Sequence, residues 1–486
     1  MNEKPHNNKS YKDLHKPASD FTTRDAYLEN ELKIMSPKRW SINLPKRDFN
    51  FEIEDFVPAV SGTIGIIVKT TAIVAAFAVG FGLPPGFVVE NVRFEMLLVS
   101  LLFVIPVSGF INPRANFPGA HGPMIPLIGL IVMAGGHPLA LGILIGAFGL
   151  ILGLFKGGSR LIDLTGIGVR GGLLAYLGLI GMIGQINALG GWATGVGKGY
   201  ISLVVILLTI ISYAYLARIG KRWLAIPLCS LIGLVAALLM GGPLSFVTTP
   251  GVPNLSPLYW WGIYTGWMLG LPNVGHFIAS LPFAILAIAM WPPDFLGHRI
   301  FQEMNYPKGA DKVLMDVDDT MINCSIRQAV GSLLGGGNVT SSGGPYMIPA
   351  GIAKRPIPAG AIILGIFLIA AILIGYPMDI AIWPPVLGVA LIVGVFLPLL
   401  EAGMQMIRET KQAEAAAICM VGSALINPVF GWAFAMLLDN SGVLGDIERS
   451  KSLPMIDRII IPLITTIICV GAMAAVGIIP GIPKLI

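Results

Sequence analysis

The chain has 486 residues, 55% hydrophobic and 12% charged, with a net charge of +5 at pH 7. A soluble domain carries about twice that charged fraction, and the mean hydropathy here is +0.77. Composition thus excludes a soluble enzyme and points to a polytopic helical membrane protein. The positive balance fits excess Lys and Arg in cytoplasmic loops and does not call for nucleic acid as a partner.

Residues 1–54 read as a polar cytoplasmic N-terminal arm, partly disordered, with an amphipathic piece around Ala26–Ile34. Their scattered charges of both signs do not form a short cleavable signal peptide. Asp55 introduces a first span over Val57–Phe81, closed by Gly82-Leu-Pro-Pro85, and a second covers Phe94–Phe110. A broken helix over Pro123–Ala134 follows, then spans over Leu139–Phe155, Leu161–Ile186, Tyr200–Leu216 and Trp223–Met240. These seven make a first repeat, residues 55–246. Residues 247–272 form a connecting loop whose Tyr259, Trp260, Trp261 and Trp267 suit the lipid headgroup level.

A second seven-span repeat, residues 273–480, opens with Val274–Ile300 and a span from Asp319 to before Gly335. A second broken helix covers Pro345–Ala353, followed by Pro358–Ile374, Ile380–Leu400, Ala413–Leu438 and Ile456–Ile479, and a short tail, 481–486. The fold class is therefore an all-α membrane protein of about fourteen spans in two inverted repeats of seven. Lys and Arg crowd the even loops, for example Arg114, Lys156, Arg160, Arg218, Lys221, Arg222, Lys354, Arg355, Arg408 and Lys411. That bias places both termini in the cytoplasm. Cys229, Cys324, Cys419 and Cys469 have no paired spacing and suggest neither disulfides nor a metal site.

The two broken helices share a pattern: Gly122-Pro-Met-Ile-Pro126 and Gly344-Pro-Tyr-Met-Ile-Pro349, each behind a run of small residues. Proline costs little in a first helical turn, where its missing N–H would be unpaired anyway. Matching breaks in two halves are the best sequence pointer to a transporter's central site. Two half-helices facing each other near the midplane would form an anion-friendly pocket, with Gly122, Pro123 and Met124 opposite Gly344, Pro345 and Tyr346.

Polar residues near these breaks supply the remaining candidates. Asp294, after Trp291-Pro-Pro293, is an intramembrane carboxylate, costly unless paired, hydrated or protonated. It reads either as a coupling-ion residue (a Na⁺ site or a proton carrier) or as the cap of a helix that restarts after the prolines. His298 shares its face and could relay a proton or sit at the surface. Thr340, Ser341 and Ser342 offer hydroxyls to an anion or Na⁺, or satisfy the local backbone. His121 either contacts substrate or packs. Lys69 is a core-facing anion contact or a snorkelling side chain, and Thr70 and Thr71 would line the site beside it. Arg170 reads as a structural partner or a snorkelling side chain, and Asp316–Asp319 as a helix N-terminal cap.

Several of these stretches resemble a known superfamily. Asp55 with its span and Gly82-Leu-Pro-Pro85 resembles the opening of SulP anion transporters. Gly119-Ala-His-Gly-Pro-Met-Ile-Pro126 resembles the third-helix segment of their bicarbonate-transporting branch, and the Gly-rich fifth span ending at Gln185 fits the same pattern. Pro293-Asp-Phe-Leu-Gly-His298 through Val330–Asn338 is similar to the nucleobase–cation (nucleobase–ascorbate) symporters. The resemblance covers nearly all of residues 55–480. It implies a core domain of spans 1–4 and 8–11, a gate domain of spans 5–7 and 12–14 that dimerises, and elevator-type movement. Short crossing strands, about Ala115–Gly119 and Asn338–Ser342, would precede the half-helices. It also places Asp294 at an acidic position used in coupling or substrate contact.

Two departures qualify the match. The chain ends about six residues after the last span, where SulP proteins usually continue into a STAS domain. Thr340-Ser-Ser-Gly-Gly-Pro345 lacks the glutamate with which nucleobase symporters recognise a base edge. The expected protein is a Na⁺- or H⁺-coupled permease for a small inorganic or carboxylate anion, a homodimer in a bacterial inner membrane, with no cofactor. A nucleobase or heterocycle symporter, with Tyr346 stacking on the ring, is the alternative, and an anion channel a further one. No phosphate-binding loop, Cys/His metal spacing or protease constellation supports an enzyme.

Overall fold

The structure, a computed structural model, describes residues 10–409, 412–444 and 447–485. Lys411 of the charge pattern and the last residue of the tail lie outside them. Nine helices among the described residues are long and apolar enough to cross a membrane, and the chain is an integral membrane protein. The main helices are α1 (Arg24–Ile34), α2 (Phe56–Phe81), α3 (Pro85–Val99), α4 (Ile128–Met133), α5 (Pro138–Leu154) and α6 (Gly158–Thr165). They continue with α7 (Ile167–Gly195), α8 (Tyr200–Arg218), α9 (Ala225–Leu239), α10 (Val274–Asn305), α11 (Val317–Leu334) and α12 (Gly344–Ile352). The last six are α13 (Ile357–Ile374), α14 (Pro384–Leu391), α15 (Leu397–Glu409), α16 (Ala413–Leu425), α17 (Pro428–Ser441) and α18 (Ile461–Ala475).

Most expected spans are present as helices, and the differences have local causes. Helix α3 runs on as a π-helix over Ser100–Ile111, where Pro106 has no N–H for the regular ladder. The fifth span is interrupted at Gly166 (φ 73°), leaving α6 and α7. The thirteenth divides at Asn427-Pro428, since a proline opens α17 and the Asn427 side chain accepts from Phe430 N–H. Helix α11 carries Asp318, Asp319 and Arg327, and is too polar for the nine. Conversely, α10 continues unbroken through Pro282, Pro292 and Pro293, so Asp294 lies within a helix and caps nothing.

Two sets of helices pack among themselves, and α10 of the first also packs against α18 of the second. In one, α5 lies against α10 and α11, and α2 lies against α12 and α13. The α5–α11 approach is close: a Cβ added at Gly146 would stand 2.7 Å from Ala329 Cβ, so α5 presents a glycine face to its neighbour. In the other, α7 packs against α14, α15 and α16, α9 against α8 and α14, and α17 against α18.

Two expectations need correction. Trp260, Trp261 and Trp267 are buried, not at a headgroup surface. Their indole N–H groups donate to the carbonyls of Asn254, Ser332 and Gly335, and Trp267 packs edge-on to Phe87. Buried indoles keep a polar partner, and here the end of α11 provides most of them. The arm is folded over its described residues. Leu32, Met35 and Phe49 pack with Tyr306, Val313 and Ile362, and Asn43 N–H donates to Phe110 carbonyl at 2.8 Å. Arg39 bonds Asp319 at 2.6 and 2.8 Å, while Asp316 caps α11 by accepting from Asp319 N–H. Lys354 bonds Glu29 at 2.8 Å and holds that carboxyl below its ordinary range. Arg355 forms a buried two-pronged pair with Asp55 at 2.8 and 3.0 Å.

Candidate functional site

The site is built where the chain breaks. Residues 117–121 and 339–343 run antiparallel past each other. Gly119 N–H donates to Ser341 carbonyl at 2.6 Å, His121 N–H to Val339 carbonyl at 2.7 Å, and Gly343 N–H to Phe117 carbonyl at 3.1 Å. Only the Pro118–Ser342 bridge is regular, so the expected crossing strands reduce to one bridge between extended segments. A Cβ on Gly119 would come within 3.2 Å of Gly343 Cα, so the small residues before each break permit this crossing. The first half-helix begins as a 3₁₀ turn over Gly122–Leu127 and becomes α4; the second is α12.

Behind the second crossing segment lies a buried network. Arg327 pairs with Glu95 and donates to Thr340 Oγ1 at 2.8 Å. Glu95 also accepts from Asn338 N–H at 2.8 Å, and Gln328 from Thr340 N–H at 2.5 Å. Trp291 donates to Thr340 carbonyl at 2.8 Å. On the opposite side, Ser341 Oγ donates to Asp294 Oδ2 at 2.6 Å. Ser342 Oγ lies 2.6 Å from His298 Nδ1 and accepts from Asn116 Nδ2 at 2.9 Å. His298 Nε2 stands 3.7 Å from Asp294 Oδ1, one turn along α10. Sequence reasoning missed Glu95 and Asn116, which lie 232 and 226 positions from Arg327 and Ser342, and Arg327, which carries no motif.

A cavity of about 600 Å³ opens in front of this layer, between the two bodies. Its wall includes Ser61, Lys69, His121, Gly122, Pro123, Asp294, His298, Ser341, Ser342, Gly344 and Pro345. The other body contributes Arg170, Val393–Val395, Trp432 and the Arg222–Glu401 ion pair. Arg222 is half exposed, and α8 returns it to the side of the molecule that bears the arm. Both ring nitrogens of His121 and the Ser61 hydroxyl are buried without a hydrogen-bond partner. A buried polar group left unpaired is costly, so His121 and Ser61 are the groups here with hydrogen-bonding capacity to offer a ligand in the cavity.

Five predicted site residues stand elsewhere. Thr340 turns its hydroxyl to Arg327, away from Asp294. Thr70, Thr71 and Met124 are buried outside the cavity wall, the two threonine hydroxyls without partners. Tyr346 is fully buried with its ring against Phe117, and its hydroxyl donates to the carbonyls of Pro356 and Ile357 at 3.2 and 3.0 Å. It cannot stack on a ring in the cavity. The N–H groups that open α12 are also engaged: Gly344 donates to Ser342 carbonyl, Tyr346 and Met347 to Gly343 carbonyl, and Pro345 has none. Side chains must therefore supply direct donors at that end of the site.

Residues 2–486 match the family described as "Protein of unknown function (DUF3360)". The chain belongs to that family. No curated protein matches this DUF3360 chain significantly. Among solved structures, it is similar to the murine Solute Carrier 26 family member A9 (Slc26a9) anion transporter in the inward-facing state. That likeness has a TM-score of 0.51 at 14% identity, covering 81% of this chain and 68% of the other. A second SLC26A9 structure gives 0.53 at 14% identity, covering 80% and 64%. The transmembrane domain of a cyanobacterium bicarbonate transporter, BicA, gives 0.49 at 14% identity, covering 79% and 98%. The DUF3360 chain thus shares a fold with SLC26A9, spanning about two thirds of the length of those chains.

Proposed function

We propose that this chain is a secondary active permease for a small inorganic or carboxylate anion, coupled to Na⁺ or H⁺. The observation that carries the reading is the meeting of both helix breaks with Asp294 in one cavity between two packed bodies. The shared fold with a protein described as an anion transporter supports it. Asp294 holds the coupling cation: its carboxylate and the Ser341 hydroxyl place two oxygens together, and His298 beside them can take a proton instead. Substrate lies between Pro123 and Pro345, against Ser341, Ser342 and His121. The body bearing the breaks slides against the other as an elevator.

In the same reading, residues 55–246 and 273–480 are inverted seven-span repeats that together make fourteen passes. The protein is a homodimer in a bacterial inner membrane, with both termini cytoplasmic. No chemical step is assigned to it. The burial of Tyr346 leaves the nucleobase reading without its stacking residue.

Thermal stabilisation of the purified protein tests this, because a ligand that binds the folded state raises Tm with occupancy. The panel comprises bicarbonate, nitrate, formate, sulfate and nucleobases, with and without Na⁺ and across pH. We expect one anion to stabilise wild type, more strongly with Na⁺ or at lower pH, and Asp294→Asn to lose that cation-dependent increment. Stabilisation by a nucleobase alone, or by nothing in the panel, would overturn the proposal.

A further inference from the structure

We infer that the Lys69 ammonium is the fixed counter-charge of the transported anion, and that the site takes one monovalent anion with one cation. The inference rests on the anion reading above and specifies the charge of its substrate.

Lys69 lies midway along α2, and the backbone shows where it stands. Gly65, one turn earlier on the same face, abuts α12: a Cβ there would meet Pro345 Cβ at 2.4 Å. Helix α12 starts at that level and runs back toward the arm side, where Lys354 and Arg355 meet Glu29 and Asp55. One further turn of α2, about 6 Å of rise, carries Lys69 past the N-terminus of α12 into the gap between the half-helices. Its side chain lines the cavity there, with His121 and Asp294.

The chemistry of the gap then favours one reading of Lys69. No carboxylate oxygen among the described residues lies within 4.0 Å of its ammonium, although an unpaired charge this deep in an apolar protein is costly. The other cations on the cavity wall are accounted for. Arg222 is paired with Glu401, while Arg170 belongs to the other body, one turn into α7, and turns its Nε–H to Gly166 carbonyl at 3.0 Å rather than to a carboxylate. The opening N–H groups of α12 are engaged within the turn. On the body that carries the breaks, Lys69, with the unpartnered His121 and Ser61, provides free donors facing this gap. With Asp294 ionised, the central charges sum to zero when the site is empty. One monoanion and one cation keep that sum at zero, so the loaded body can cross an apolar gate without net charge.

The test titrates bicarbonate, nitrate, formate and sulfate into wild type, Lys69→Gln, Lys69→Arg, Asp294→Asn and Lys69→Gln/Asp294→Asn in gluconate buffer, reading Tm. Lys69→Gln should raise the apparent Kd for the stabilising monoanion at least about tenfold, while Lys69→Arg keeps it within about threefold. Folded Lys69→Gln with wild-type affinity would overturn the inference and leave the anion reading standing. Wild type that no anion stabilises would overturn both. If Lys69→Gln alone does not fold, the double variant decides, since it removes both central charges together. It should lack the anion shift that Asp294→Asn retains, and a retained shift would overturn the inference.

Discussion

The hydroxyl of Tyr346 donates to two carbonyls at the start of α13, and Gly360 packs against it so closely that a Cβ there would lie 2.4 Å from Tyr346 Oη. That geometry assigns the side chain to helix packing, two residues into a half-helix whose first residues face the cavity. Tyr346→Phe should therefore lower stability by about 1 kcal/mol, the net worth of a typical internal hydrogen bond, and leave anion-induced stabilisation unchanged. A denaturation series with and without the anion reads both quantities together. A lost anion shift would return Tyr346 to the site. The sequence could not make this distinction, because α2, α12 and α13 are apolar on nearly every face. Thr70 and Thr71 were indistinguishable from their neighbours for the same reason: the contacts of Gly62 with Tyr346 and of Gly65 with Pro345 show which side of α2 meets the break. Lys69 and Asp294 were legible as charges out of place, whereas Ser61 had nothing to distinguish it from other small polar residues.

In the proposed reading the elements built from the two breaks carry the function, and their supports come from distant parts of the chain. Each Gly-Pro start was readable, because small residues before a first-turn proline have a direct backbone meaning. What holds the second segment was not. Glu95 and Arg327 are separated by 232 positions and pair behind it, both fully buried. A buried pair of this kind stabilises little in total, but removing one partner strands the other. Arg327→Met should cost about 3–5 kcal/mol and detach Thr340 and Asn338 from their support, weakening ligand binding through Ser341 and Ser342. Arg327→Met/Glu95→Leu should recover part of the stability, because neither charge is then left alone. Equal Tm values for the single and double variants would show that the pair does not act as a unit. The readout is unfolding of the detergent-solubilised protein, with the anion shift measured in parallel.

At the scale of the molecule, the division into two bodies is what the family resemblance implies; α5 packs with α10 and α11, and α2 with α12 and α13, while α10 also meets α18. The folded arm did not follow. Its contacts through Arg39, Asn43 and Glu29 all fall on the body that carries the breaks, which no local pattern in a polar segment reveals. If that body moves as a unit, the arm travels with it, and the sliding surface lies where the first half-helix meets the π-helical turn Ile392–Phe396. Gly122 and Val395 face each other across that surface, and a Cβ at Gly122 would stand 3.7 Å from Val395 Cβ. Disulfides span Cβ separations of about 3.5–4.5 Å, so Gly122→Cys with Val395→Cys should cross-link the bodies on oxidation. The native cysteines Cys229, Cys324, Cys419 and Cys469 are all buried and offer little competition. In proteoliposomes the oxidised variant should stop transporting and recover on reduction, while Val395→Cys alone transports under both conditions. Undiminished flux through a fully cross-linked protein would mean that substrate passes without the bodies sliding, and a channel would then describe the cavity better than an elevator.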